Sequence, residues 1–144
     1  MRPSFQVREE SDLKVLLPVR WRNLYPDQVM NPEASREDDL AAGTIHFVAT
    51  RDREVVGCVT LTEERRHDRD LRMRWIGVDK EQRDQGIGAV LVHACLEKGI
   101  RSGRGIWCNA RLPALSLYRR LGFEEVGAPF DIPDIGSHLV MRTP

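Results

Sequence analysis

The sequence predicts a mixed α/β domain, one β-sheet covered by helices. Three observations predict it. Period-two alternation dominates the centre of the chain, residues 44–78. Apolar residues at helical spacing follow from Ile87 and again from Ala114. A glycine turn joins the last central strand to the first of these helices. The length of 144 residues fits one domain, residues 1–144, able to bury one core.

Residues 4–8 alternate weakly and predict a first strand. Ser11-Asp12 is a helix-start signal. Leu13, Leu16, Leu17, Trp21 and Leu24 then recur at helical spacing, and Pro18 predicts a kink or two short helices. Residues 25–43 are polar, with Pro26, Pro32 and the acidic run Glu37-Asp38-Asp39, and predict an exposed, mobile excursion with room for a short helix. That run is read as a solvated face, or as a lure for a cationic acceptor. Residues 44–50 form a strand with Ile45, Phe47 and Ala49 on one face. Residues 51–54 turn, and residues 55–62 return as the second arm of a hairpin. Residues 63–70 read as a charged loop.

The next strand, residues 71–78, carries the most informative pattern. Leu71, Met73 and Trp75 alternate with Arg72 and Arg74, and then Ile76 and Val78 shift the apolar phase. A slip of period two inside one strand predicts a β-bulge; burial of both faces is the other reading. After the loop at residues 79–88, a helix places Ile87, Val90, Leu91, Ala94 and Lys98 on one face, with Gly99 near its end. Residues 105–109 are a short buried strand. Pro113 opens a helix with Ala114, Leu117, Tyr118 and Leu121 in line, and Gly122 stops it. Residues 123–126 and 138–141 predict two last strands around a Pro/Asp loop.

Composition limits the function. Lys and Arg number 22, as do Asp and Glu, so the formal charge is zero. That argues against a nucleic-acid or anionic-membrane partner. No apolar run approaches the roughly 20 residues that span a bilayer. Residues 1–5 lack a signal-peptide core, so the chain is expected in the cytoplasm. Cys58, Cys95 and Cys108 are scattered among apolar neighbours and read as buried reduced thiols. Nothing has metal-ligand spacing.

The segment Arg83-Asp84-Gln85-Gly86-Ile87-Gly88-Ala89 lies between a strand and a helix. Free N–H groups and the positive end of the helix dipole make such a place an anion site, most naturally for phosphates. A tight turn that needs glycine is the plainer alternative. The segment is not a P-loop, since no Lys-Ser or Lys-Thr follows Gly88. Nor is it a dinucleotide fingerprint, since position 91 is Leu. A nucleotide-binding role therefore ranks last.

Arg83-x-x-Gly86-x-Gly88, five residues after Val78, resembles the acyl-CoA signature of the GNAT N-acetyltransferase superfamily. The stretch Asn109-Ala110-Arg111-x-x-Ala114-x-x-x-Tyr118-x-x-Leu121-Gly122-Phe123 is similar to a second motif of that superfamily. The two occur in the right order and spacing, and the resemblance covers nearly the whole chain. From Phe130 to Met141 it looks like small bacterial-type members of unassigned substrate.

The resemblance implies a mixed, mostly antiparallel, twisted sheet flanked by helices, with a bulged and splayed central strand pair. It implies acetyl-CoA as cosubstrate, no metal, and a small-molecule or peptide amine as acceptor. A homodimer is compatible with it. The backbone of Ile76, Gly77 and Val78 would pair with the pantetheine arm. The N–H groups from Arg83, Asp84, Gln85, Gly86, Ile87, Gly88 and Ala89 would hold the pyrophosphate, and Asn109 would bond the arm. Tyr118 would protonate the departing thiolate, although its spacing also suits a core aromatic. The N–H of Ile76 is a candidate oxyanion donor.

The chain departs from the family in one respect. Many relatives carry a glutamate base on the strand before the phosphate loop; here Arg72 and Arg74 hold the polar positions. Glu63, Glu64, Asp131 and His138 are the other candidate bases, beside a water relay or an amine that arrives neutral. The missing glutamate also motivates a second reading, a non-catalytic acyl-CoA-binding sensor or interaction module. Arg119 and Arg120 are within reach of a ribose phosphate in principle, though surface helix charge is the simpler role.

Overall fold

The structure is a computed structural model of the full chain and describes residues 4–29 and 37–144. Seven strands form one sheet: β1 (Gln6–Glu9), β2 (Ile45–Arg51), β3 (Glu54–Arg66), β4 (Arg69–Val78), β5 (Ile106–Arg111), β6 (Glu124–Ile132) and β7 (Gly136–Arg142). The spatial order is β1-β2-β3-β4-β5-β7-β6. Every pairing is antiparallel except β4 with β5. Three helices accompany the sheet: α1 (Leu13–Leu24), α2 (Ile87–Ser102) and α3 (Leu115–Arg120). This is the mixed α/β sheet that the sequence predicts.

Helix α1 starts at Asp12, whose carboxylate accepts the N–H of Lys14. It runs as one helix through Pro18, not as two. Proline removes one backbone bond, and the apolar face made by Leu16 and Val19 against Val48 and Cys58 outweighs that loss. The part of the predicted excursion at 30–36 lies outside the described residues. Beyond it, Glu37–Leu40 forms a 3-10 turn in which Asp39 is buried while Glu37 and Asp38 stay exposed, so the acidic run is a solvated face only in part.

Both central hairpins close on two residues of positive φ, Asp52-Arg53 and His67-Asp68, the geometry of a tight primed turn. Most of the expected charged loop at 63–70 is therefore strand. Its charges pair across the ladder, Arg65 with Asp70 and Arg72 with Glu64, and this polar pairing hides the strand from an apolar pattern. The last hairpin is likewise longer than expected. β6 continues to Ile132 through an irregular stretch between Val126 and Phe130 that contains Gly127.

The main core lies between the sheet and α2. Its buried stripe on α2 is Ile87, Leu91, Val92, Cys95 and Gly99. Val90 is exposed instead, and Lys98 reaches Glu9 on β1. Leu61, Leu71, Met73, Ile106 and Cys108 complete this layer from the strands. The opposite face carries α1.

Candidate active site

β4 and β5 pair only at Leu71 with Ile106 and at Arg72 with Trp107. Beyond those two pairs the strands part, and 73–78 and 108–111 face each other across a slot. The predicted bulge falls in this unpaired stretch of β4. Cys58 pairs with Gly77 but Thr60 pairs with Arg74, so β4 holds one extra residue. Trp75 sits at φ +55° inside it. Arg74 and Trp75 then both point to the α1 face, while Ile76 and Val78 return to the α2 core. This corrects the expected phase: the slip falls before Trp75, which does not share a face with Met73.

Two arginines lie against the Trp75 ring. The Arg20 guanidinium lies 4.4 Å from its ring centre and that of Arg74 lies 3.8 Å away. Arg20 is buried and gives two hydrogen bonds to Asp39, at 2.9 and 2.8 Å, and one to Thr60 at 2.8 Å. His46 completes the group, Nδ1 to Thr60 at 2.8 Å and Nε2 to the Asp39 carbonyl at 3.1 Å. A carbonyl only accepts, so Nε2 carries the proton and Nδ1 accepts from the Thr60 hydroxyl. Burial lowers the His46 pKa, and the nearby Arg20 charge adds to this against the opposing pull of Asp39.

The far end of β4 is anchored through Asp79. Its N–H bonds the Val56 carbonyl, and its carboxylate accepts from Arg22 at 2.8 and 2.7 Å and from Asn23 at 2.8 Å. Burial works to raise the Asp79 pKa, but the bonds from Arg22 and Asn23 outweigh it and hold the group below the ordinary carboxylate value. Gly77 is needed at this junction, because a Cβ there would stand 2.9 Å from Asn23 Cβ.

The glycine segment then opens α2. Arg83 Nε donates to the Val78 carbonyl at 2.9 Å, and Asp84 and Gly86 both take positive φ. Arg83, Asp84, Gln85 and Gly86 are exposed, Ile87 is buried, and Gly88 and Ala89 are half-buried. Gly86 caps the helix with no side-chain bond. A Cβ on Gly86 or Gly88 would meet nothing within 4 Å, so packing explains neither glycine. The φ of +86° accounts for Gly86; the space beside Gly88 lies open at the helix N-terminus.

Asn109 is half-buried on β5 opposite Val140. Tyr118 lies on α3, 4% exposed, with its ring against Phe123. Its hydroxyl makes no hydrogen bond with the described residues. Burial first, and then the neighbouring Cys108 and Cys95, push its pKa up, so it keeps its proton at neutral pH. Burial pushes the Cys108 thiol up to about 12, and the other two cysteines behave alike. No thiolate nucleophile arises from them at neutral pH.

The candidate bases are dispersed. Glu63 pairs with Arg104, and Asp131 accepts from Ser137 at the tip of the last hairpin. His138 is buried, with Nδ1 2.8 Å from the Gly136 carbonyl. Glu64 approaches Arg72 at 3.3 Å. The acidic run is tied to arginines, Asp39 to Arg20 and Asp38 to Arg74. Sequence reasoning missed Arg20, His46 and Thr60; partners 19 and 40 residues apart leave no local signature. Among the described residues no His, Cys, Asp and Glu cluster could hold a metal, and no helix is long and apolar enough to cross a membrane.

Comparison with known proteins agrees with this geometry. An uncharacterized N-acetyltransferase of Bacillus subtilis, YitI, is 31% identical over 128 residues, covering 85% of each chain. The Escherichia coli ElaA structure superposes with a TM-score of 0.80 at 17% identity, over 99% of this chain and 100% of that one. An acyl-CoA N-acyltransferase from Pseudomonas aeruginosa gives 0.79 at 21% identity, with the same coverage. These two likenesses show a shared fold. The model of the GNAT acetyltransferase domain matches residues 42–125, more than half of the chain, and with the parted strands and the glycine-opened helix it makes this protein a member of the GNAT acetyltransferase family.

Proposed function

We propose that this protein moves an acetyl group from acetyl-CoA directly to a primary amine of a small molecule or peptide. One observation carries the reading: the slot between β4 and β5 begins two residue pairs from its root and runs toward the open glycine N-terminus of α2. A slender thioester arm suits the slot, and a pyrophosphate suits the N–H groups of residues 83–89.

The roles follow from position. Ile76, Gly77 and Val78 offer backbone groups to the arm along the free side of β4. Ile76 has no register partner on β3, and its N–H is the donor to the thioester oxygen as negative charge develops there. Asn109 bonds the arm from β5. Tyr118, protonated at neutral pH, gives a proton to the departing sulfur. The high pKa of Cys108 supports transfer without an acyl-cysteine step. Three reduced, buried thiols suit a cytoplasmic setting.

Calorimetry with acetyl-CoA, with desulfo-CoA and ATP as comparators, tests the reading. CoA-selective binding, lost in Gly86→Glu, is the expected result. Equal binding of ATP, or no binding, overturns it. Turnover by thiol release across an amine panel then separates an enzyme from a mere binder.

A further inference from the structure

We propose that Arg72 is a specificity-determining residue that binds a carboxylate on the acceptor, so that the acceptor is an amino-acid-like amine. This rests on the acetyltransferase reading and names the acceptor class of the same site. Arg72 lies at the root of the slot, in the last β4–β5 pair before the strands part. It faces the α1 side, as Arg74 and Trp75 do. With one residue of the bulge discounted, three ladder steps, about 10 Å, separate it from Ile76. Here the guanidinium turns back toward Glu64 and Trp107, and a change of rotamer about its long stem carries it toward Ile76.

The state of this side chain points to a ligand. Its guanidinium carbon stands 4.9 Å from the Trp107 ring centre, which fixes the plane. Among the described residues its only hydrogen-bond partner is Glu64, reached through Nη1 alone at 3.3 and 3.5 Å. These are long for a charged pair, which normally closes to about 2.7–2.9 Å. Its Nε is sealed from solvent with no partner. An arginine has five donors, and a buried one left unmatched is unfavourable. The planar fork suits a carboxylate taken in bidentate fashion.

The surroundings favour an anion over a cation. Arg111, exposed two residues beyond Asn109 and so on the same face of β5, makes no ion pair with the described residues. The nearby acids are already engaged, Glu64 by Arg72 itself, Asp38 by Arg74 and Asp39 by Arg20, so a ligand carboxylate takes the place of Glu64 on the fork. A polyamine or lysine-rich acceptor would meet like charge here.

The test compares binding of reaction products, which needs no turnover. N-acetylglycine, N-acetylalanine and N-acetylphenylalanine are titrated beside their neutral amides into the CoA-loaded protein. The acids should bind roughly 10- to 100-fold more tightly than the amides, as expected for a charge-assisted pair. Arg72→Gln should erase that difference with acetyl-CoA affinity unchanged. Arg72→Lys should restore only part of it, because an ammonium lacks the fork. Equal binding of acids and amides, or a preference that survives in Arg72→Gln, overturns the proposal and leaves the transferase reading intact. Failure to bind acetyl-CoA at all overturns both.

Discussion

The guanidinium of Arg20 lies 4.4 Å from the ring centre of Trp75, the residue at φ +55° in the β4 bulge. A buried arginine on the first helix thus supports the residue that turns the central strand. Left-handed backbone at a bulky residue costs about 1–3 kcal/mol, and the surrounding structure must hold it. Arg20, Arg74 and the Asp39–Thr60–His46 group do so.

Removing one member of the buried Arg20–Asp39 pair should be costly. Arg20→Ala and Asp39→Ala are each expected to lower stability by about 3–5 kcal/mol, since each leaves a charge buried without its partner. The double variant Arg20→Met/Asp39→Leu should recover much of the loss. Urea unfolding of the three proteins decides it. A loss below 1 kcal/mol in both single variants would contradict the account.

Tyr118→Phe isolates the proton donor. The hydroxyl makes no hydrogen bond with the described residues, so stability should change by no more than about 0.5 kcal/mol. Acetyl-CoA affinity should hold, and kcat should fall roughly 10²- to 10⁴-fold. Steady-state kinetics with calorimetry provide the check, and an unchanged kcat would remove Tyr118 from the chemistry.

Gly88→Glu should separate folding from binding. Its Cβ meets open space, Glu is a far better helix residue than Gly, and an acid is favoured in a first turn. The melting temperature should therefore stay level or rise. The added charge enters the predicted pyrophosphate site, and acetyl-CoA should bind at least about tenfold more weakly. A variant that binds normally would move the phosphates elsewhere.

His46 predicts a pH dependence. Its folded pKa lies below the ordinary 6.5, so between those two values the unfolded chain binds more protons. Stability from His46 is therefore complete above about pH 6.5 and is lost as pH falls toward the folded value. Protonation would add a donor facing Thr60 Oγ1, which already accepts from Arg20. Asp79 acts lower on the scale: its contribution is complete above about pH 4 and falls away below. Denaturation midpoints from pH 7.5 to 5 should decline in the native protein and flatten in His46→Asn.

Much of this was legible before any coordinates. The phase slip near Ile76 pointed to the bulge, and the register shift in β4 decides it against a strand end buried on both faces. The two glycines and the helix after them marked the strand-to-helix turn that opens α2. Other features were hidden for identifiable reasons. Residues 63–66 are strand, yet all four are charged, so no apolar alternation reveals them. Trp75 changed face because the extra residue sits one position earlier than hydrophobicity implies. Asp39 looked solvated because its partner Arg20 is distant in sequence.

The parting of β4 from β5 has one more consequence. It leaves two unpaired strand margins inside the sheet rather than at its rim. Such margins invite another chain to add itself and aggregate. Here they confront one another, joined at the root by two residue pairs. Each lies beside the other and away from the rim of the sheet, where another chain adds most readily. The architecture thereby keeps these margins inside the sheet, away from the outer strands that proline or lysine gatekeepers guard.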